Sequence, residues 1–258
     1  MQLIAVRVEP IHERFDLFRV IMDSIDKNGL SINDDDIIVI SSKFVAMSQG
    51  RVVDMKKVKS ATDSDRLASE YHIDPRLCEL VLRESDRIFS GVPGFILAVK
   101  DGMLAPNAGI DRSNVRHGYT ILYPLEPFRV ADTLRDKFLL YAGRRVGIII
   151  VDSRLMPTRI GTTGVALAVS GFEPVIDKRG SRDLFGNVLK VTLHAVADCI
   201  ASAANILMGE SDDSKPMVIV RGIDVDMSSE SYDWHDIAVE HEECMYVRGL
   251  GNINMNKH

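Results

Sequence analysis

The chain has 258 residues, of which 46% are hydrophobic and 26% charged, with a formal net charge of -6. That balance describes a soluble globular protein with a core of ordinary size, and it excludes a disordered or membrane-embedded chain. The acidic balance argues against nucleic acid as the main partner, because phosphate binding needs a basic surface.

The apolar runs are too short to span a bilayer. The start, Met1 to Glu9, lacks the basic region of a signal peptide, so the expected compartment is the cytoplasm. Cys78, Cys199 and Cys244 are an odd number without close spacing and read as reduced, packed thiols.

Leu3 to Val8 read as a first strand. Phe15 to Asn28 carry Leu17, Val20, Ile21 and Ile25 at helical spacing, and Gly29 stands where that helix ends. Asp34-Asp35-Asp36 lead into a second strand, Ile37 to Ile40, which delivers Ser41, Ser42 and Lys43 to its end. That trio is either an anion site or a strand-to-helix cap.

Asp74-Pro75 is a helix start, with Leu77, Leu80, Val81 and Ile88 as its buried stripe and Arg83 and Glu84 near its far end. Phe95 to Val99 and Met103 to Ala105 flank Asp101-Gly102, a hairpin signal. The following loop, Pro106 to Asn114, gathers carboxylate, amide and hydroxyl groups on glycine-bearing backbone, which suits a metal or a plain turn.

Tyr119 to Tyr123 read as a strand, and Val130 to Ala142 as a helix stopped by Gly143. Gly147 to Val151 form a short apolar run ending at Asp152, the shape of a buried strand that surfaces on a carboxylate. Asp152 is a metal or phosphate ligand or a turn aspartate serving the backbone. Arg154 to Gly164 and Asp177 to Asp183 read as polar loops suited to anions or to solvent.

Thr192 to Met208 is an alanine-rich helix, followed by the acidic loop Gly209 to Lys215. Carboxylates at the negative end of a helix dipole invite a cation, although solvation can also suffice. Val218 to Val220 make a last core strand. Between Ile223 and Glu243 lie eight acidic residues and no lysine or arginine, read as a solvated face. The chain has no P-loop, no histidine pair of zinc-hydrolase spacing and no nucleophile elbow.

Taken in order, five segments form one pattern: Ser41-Ser42-Lys43 to Gly50-Arg51, Asn107-Ala108-Gly109-Ile110-Asp111 to Asn114, Val146-Gly147-Ile148-Ile149 to Asp152-Ser153, Arg179-Gly180 to Asp183-Leu184-Phe185-Gly186, and Val196-Ala197-Asp198 to Met208-Gly209-Glu210. This set resembles the coenzyme F420-0:L-glutamate ligase family from the first strand to Arg221-Gly222. The resemblance implies an α+β fold of mixed, bent β-sheets with flanking helices in two interlocked lobes. It also implies a catalytic domain over 1–222, with the acidic segment 223–258 packed on it.

The implied activity is GTP-dependent amide ligation of L-glutamate to a deazaflavin precursor, F420-0, through an acyl phosphate, by a homodimer. Two divalent cations, Mn2+ or Mg2+, are implied, with K+ as a further cation. By motif, Asp111 and Asp152 hold one metal, and Ser153 and Glu210 the second. Ser41, Ser42, Lys43 and Asn114 contact the nucleotide; Met208, Gly209, Ser211, Asp212 and Asp213 belong to the loop that closes over it. Arg159 assists phosphoryl transfer alongside Asp152.

Two departures stand out. Met47 occupies the place of a nucleotide-contacting lysine in the family pattern, and the 153–159 loop differs from the family's Thr-x-Gly-Arg-Pro-x-Arg. The alternative expectations are therefore a nucleotide- or F420-binding homologue with weak or no ligase activity, or a γ-glutamyl ligase acting on another carboxylate acceptor.

Overall fold

A computed structural model describes residues 1–11 and 13–251. In chain order it holds β1 (Gln2–Val6), α1 (Leu17–Lys27), β2 (Ile37–Ser41), α2 (Ser42–Ser48), β3 (Val52–Asp54), α3 (Thr62–Tyr71), α4 (Pro75–Glu84), β4 (Arg87–Val92), β5 (Phe95–Lys100) and β6 (Met103–Pro106). There follow β7 (Tyr119–Ile121), α5 (Pro127–Ala142), β8 (Gly147–Leu155), β9 (Thr162–Ser170), β10 (Val175–Asp177), β11 (Leu193–Ala195), α6 (Val196–Met208) and β12 (Met217–Arg221).

The fold is α+β. A mixed five-stranded sheet runs β1-β12-β2-β8-β9, with β2 and β8 parallel and the other neighbours antiparallel. Its central strands are apolar without interruption because both faces are covered. Side chains alternate between those faces. Ile38, Ile40, Ile148, Ile150 and Ile219 join one cluster with Ile21 and Ile25 of α1 and Leu134 and Phe138 of α5. Ile37, Val39, Ile149, Val151 and Val218 join another with Ile200, Ala201 and Ala204 of α6. Each fully buried isoleucine contributes roughly 1.5–3 kcal/mol.

A second lobe lies between α2 and α5 in sequence. There α3, α4 and the three-stranded sheet β4-β5-β6 close over Leu67, Leu77, Val81, Ile96 and Ala98. The Asp101-Gly102 turn has φ of 49° and 73°, both positive, as the predicted hairpin requires. Asp74 caps α4 by accepting from the Arg76 amide, with Pro75 at the first turn. Ile88, predicted for that helix stripe, lies in β4 instead, because α4 ends at Glu84.

Two further expectations change. Thr192 to Ala195 are not helical: Leu193–Ala195 pair antiparallel with β10, so strand pairing overrides the helix pattern and α6 begins at Val196. Asp152 is not at the end of its strand either. β8 runs on to Leu155 and pairs with β9 beyond the point where β2 stops at Val151, leaving residues 156–161 as the hairpin tip. Both ends of the predicted polar loop are therefore part of a two-stranded ribbon.

The acidic segment crosses both lobes. Ile223, Val225 and Met227 pack against the α6-side cluster, and Phe172 bridges to Met227. Further on, Trp234 covers Gly102, and Arg87 contacts His241 and Glu242. Residues 252–258 of the acidic segment lie outside the described residues. All three cysteines are unpaired, and among the described residues no helix is long and apolar enough to cross a membrane.

Candidate functional site

The parallel pair β2 and β8 brings the start of α2 beside the β8–β9 ribbon. Ser41 pairs with Val151 in register and is the N-terminal cap residue of α2, but its side chain makes no capping bond. The neighbouring Ser42 is buried, and its hydroxyl donates to Asp152 Oδ1 at 2.9 Å. Lys43 reaches the other lobe. Its Nζ lies 2.6 Å from Asp111 Oδ2 and donates to Ser113 Oγ at 2.6 Å. Two consecutive residues of α2 thus engage both aspartates of the first predicted metal pair.

Asp111 is held by its backbone as well as by its charge. It exchanges both main-chain hydrogen bonds with Ile121, and its carbonyl accepts from Thr120 Oγ1 at 2.7 Å. Its carboxylate accepts from the Ser113 amide at 2.7 Å and from the Ser113 hydroxyl at 3.0 Å. Burial pushes the Asp111 carboxyl up, but Lys43 and the Ser113 donors outweigh it and hold it below the usual carboxylate range.

Ser153 faces the opposite way. Its hydroxyl lies 2.8 Å from Glu210 Oε1 and 3.1 Å from Asn205 Oδ1, while Asn205 Nδ2 donates to the same Glu210 oxygen at 2.9 Å. Asn114, with φ of 56°, donates to the Ser211 carbonyl at 2.7 Å and so ties the Asp111 loop to the loop after α6. That loop folds back tightly at Gly209, where an added Cβ would lie 1.9 Å from Asp213 Oδ2; only glycine permits it. Met208 is buried at the helix end, Ser211 and Asp212 are exposed, and Asp213 faces Lys215 at 3.6 Å.

Arg159 lies at the exposed ribbon tip, where its amide donates to the Met156 carbonyl. Among the described residues its side chain makes no hydrogen bond or ion pair, so the structure does not bring it to the aspartates. Nor do Asp111, Asp152 and Glu210 share one point. Among the described residues, the group of three acidic, histidine or cysteine side chains close enough for one ion is Glu240, His241 and Glu242, on the acidic segment. Two cavities, of about 380 Å³ beside Gln49 and Leu125 and about 480 Å³ beside His194 and Cys199, also lie away from these carboxylates.

The donors gathered at the predicted metal positions are nevertheless all oxygens, the type that hard divalent cations select. Ser153, Asn205 and Glu210 offer three such atoms, with no cationic side chain bonded to them among the described residues. This set fits a divalent ion. Asp111 and Asp152 differ, because Lys43 and Arg154 already face them.

Sequence reasoning missed Asn205, Ser113 as a bridging residue, and Arg154 as a buried one. A signal existed for the first. Asp198, Ser202 and Asn205 are the polar residues of an otherwise apolar α6, spaced four and three apart on one helix face. All three dock on the ribbon: Asp198 accepts from the Ala166 amide at 2.9 Å, and Ser202 donates to the Gly164 carbonyl at 2.7 Å.

Fold and site define an α+β protein whose oxygen-rich carboxylate and hydroxyl groups gather where a sheet ribbon, a helix start and a second lobe meet. The chain belongs to the F420-0:Gamma-glutamyl ligase family, whose sequence pattern matches residues 5–222. It is 36% identical over 225 residues to the coenzyme F420:L-glutamate ligase of Methanopyrus kandleri, covering 84% of this chain and 87% of that one. To the enzyme of the same name from Methanocaldococcus jannaschii it is 39% identical over 195 residues, 75% and 78% of the two chains. With that from Methanothermobacter thermautotrophicus it shares 35% over 208 residues, 80% and 82%.

Proposed function

We propose that this protein is a ligase that joins L-glutamate to the deazaflavin precursor F420-0 through an amide bond, at the expense of GTP. The γ-phosphoryl group passes to a carboxylate of the acceptor, giving an acyl phosphate. The glutamate amine then attacks the acyl carbon, phosphate leaves, and the amine loses a proton. The observation that carries this reading is the engagement of Asp152 and Asp111 by the adjacent Ser42 and Lys43 at the start of α2. That geometry sets hydroxyl, ammonium and carboxylate groups together, as a phosphoryl-handling site needs.

In this reading Lys43 and the Ser41–Ser42 pair hold phosphate oxygens, and Asn114 orders the nucleotide side through its bond to the Ser211 carbonyl. The loop Met208 to Asp213 covers the nucleotide, and Arg159 swings in from the ribbon tip. Asp111 and Asp152 hold one divalent ion, Mn2+ or Mg2+, and Ser153 and Glu210 hold the other, with K+ as a further cation. Such ions, when bound, neutralise charge on the moving phosphoryl group. The protein works as a homodimer in the cytoplasm. Leu184, Phe185 and Val191 on the arm between β10 and β11 and Ile206 on α6 are largely exposed, the kind of apolar surface that a second copy covers. Sedimentation showing only monomer would remove that part.

The test of the reaction is incubation of purified protein with F420-0, glutamate, GTP and Mn2+. GDP release with a mass gain of one glutamate is expected; neither product appearing overturns the reading. One observation favours a second reading, nucleotide binding with weak turnover. Met47 lies one helical turn beyond Lys43 in α2, half-buried, where the family pattern has lysine. Calorimetry showing nucleotide binding without turnover, together with recovery of turnover in Met47→Lys, would establish it.

A further inference from the structure

Asp152 shares its face of β8 with Arg154, two residues on, because side chains alternate along a strand. Arg154 is only 6% exposed. Its Nε donates to Asp152 Oδ2 at 3.3 Å, and its Nη1 donates to the Leu104 carbonyl of β6 at 2.7 Å. The guanidinium therefore ties the ribbon to the second lobe. Its remaining nitrogen, Nη2, is buried without a hydrogen-bond partner among the described residues, as is the hydroxyl of Tyr123.

Tyr123 is fully buried, and that burial pushes its phenol well up from the ordinary value against the pull of Arg154, so this is a confined space rather than a solvated edge. A guanidinium keeps its proton when buried and has to be balanced by a nearby anion. Asp152 supplies that anion. With Ser42 on Oδ1 and Arg154 on Oδ2, both carboxylate oxygens are engaged before any ligand arrives.

We infer that Arg154 is a positioning residue that aims the Asp152 carboxylate and, as a resident positive charge, competes with the divalent cation taken there, so that it sets the metal affinity of this site. The inference rests on the reading of Asp152 as a metal ligand given under the proposed function. Its physical basis is short-range repulsion between like charges in a partly desolvated site, where water screens them weakly.

The test is a Mn2+ titration of the full-length protein, with free Mn2+ followed by its paramagnetic resonance signal, so the readout is binding and not turnover. At the second, weaker Mn2+ position, Arg154→Met is expected to bind at least about tenfold more tightly than the wild type, the scale of removing one like charge near a partly screened ion. Arg154→Lys should stay near the wild type. In Asp152→Asn/Arg154→Met the gain should vanish. Melting in EDTA gives an independent reading: Arg154→Met should melt below the wild type, because its Asp152 carboxylate lacks a counterion, and Mn2+ should restore it.

Should Arg154→Met fail to fold, Arg154→Gln keeps hydrogen-bond donors without the charge and is expected to show the same gain. Equal affinity for the second Mn2+ in wild type and Arg154→Gln, or a gain that survives Asp152→Asn, overturns the inference and leaves the metal reading standing. Absence of Mn2+ binding in every variant and in the wild type overturns the metal reading itself, and the inference with it.

Discussion

Gly164 tests whether the docking of α6 on the ribbon sets the Ser153–Glu210 geometry. An added Cβ at Gly164 would lie 2.5 Å from the Ala201 carbonyl oxygen and 2.8 Å from Asn205 Cβ, both on α6. Opening the first contact to the 3.4 Å of ordinary packing takes about 0.9 Å of helix movement. If the helix end moves as a unit, the 2.8 Å contact between Ser153 Oγ and Glu210 Oε1 opens to about 3.7 Å, beyond hydrogen-bond reach. Overpacking of this kind costs about 1–3 kcal/mol, and a chain of this size loses about 2–4 °C of melting temperature per kcal/mol. Gly164→Ala should therefore melt several degrees lower in a calorimetric scan and bind Mn2+ more weakly. A variant with wild-type melting temperature and wild-type Mn2+ affinity would refute the argument that the close approach at Gly164 holds the site.

Lys43→Met should lower stability at pH 7 and lose that deficit in acid. The folded-state pKa of Asp111 is depressed below its ordinary 3.8, so the contribution of Lys43 is present above that value and is lost as pH falls through the folded one. Urea midpoints of the two proteins, apart at pH 7, should converge as the pH falls through that depressed value. Asp198 has the opposite sign. Burial raises its carboxyl above 3.8 against the pull of the Ala166 amide and Arg154, so stability is lost as pH rises through the folded value. Asp198→Asn, which keeps an acceptor for Ala166, should raise the urea midpoint at pH 7 and leave it unchanged at pH 3. Gly102→Ala combines a φ of 73° with a Cβ that would lie 2.2 Å from the Trp234 ring. It should cost about 2 kcal/mol or more and shift the fluorescence of this single tryptophan to the red as the ring leaves its seat.

The elements legible in the sequence are those whose apolar pattern is unbroken. Ile37 to Ile40, Gly147 to Val151 and Val218 to Val220 read as core strands because neighbours and both faces exclude water, and they lie side by side in one sheet. By contrast α3 left no usable signal. Apart from Leu67 and Ala68, its buried residue is Ser64, whose hydroxyl accepts from the Ala61 amide and donates to the Ala61 carbonyl. The Arg154 to Gly164 segment misled for a different reason. Arginine, proline and glycine together suggest a solvated loop, yet Arg154 is buried because β6 and Tyr123 close over it, a contact between residues some 30 to 50 positions apart that no local pattern encodes. At Thr192 to Ala195, alanine-rich sequence continued the helix backward on paper, and pairing with β10 decided otherwise.

The same pleat that sorts the core residues also sorts the site. Ile148 and Ile150 face α1 and α5, while Ile149 and Val151 face α6. Continuing that alternation past the edge of β2, Asp152 turns to Ser42 of α2 and to Arg154, and Ser153 turns to Asn205 at the end of α6. Two adjacent residues therefore serve opposite faces of the ribbon, one wall each, and the distance between the two proposed cation positions is set by strand geometry rather than by either loop. This explains why separate partners, Asp111 from the second lobe and Glu210 from the loop after α6, are needed to complete them. It also explains why one charge is distributed unevenly. The Asp152 wall already contains a buried guanidinium and a nearby ammonium, whereas the Ser153 wall contains only oxygen and amide groups among the described residues, so the two cation positions should differ in affinity, with the Ser153–Glu210 position filling first in a Mn2+ titration.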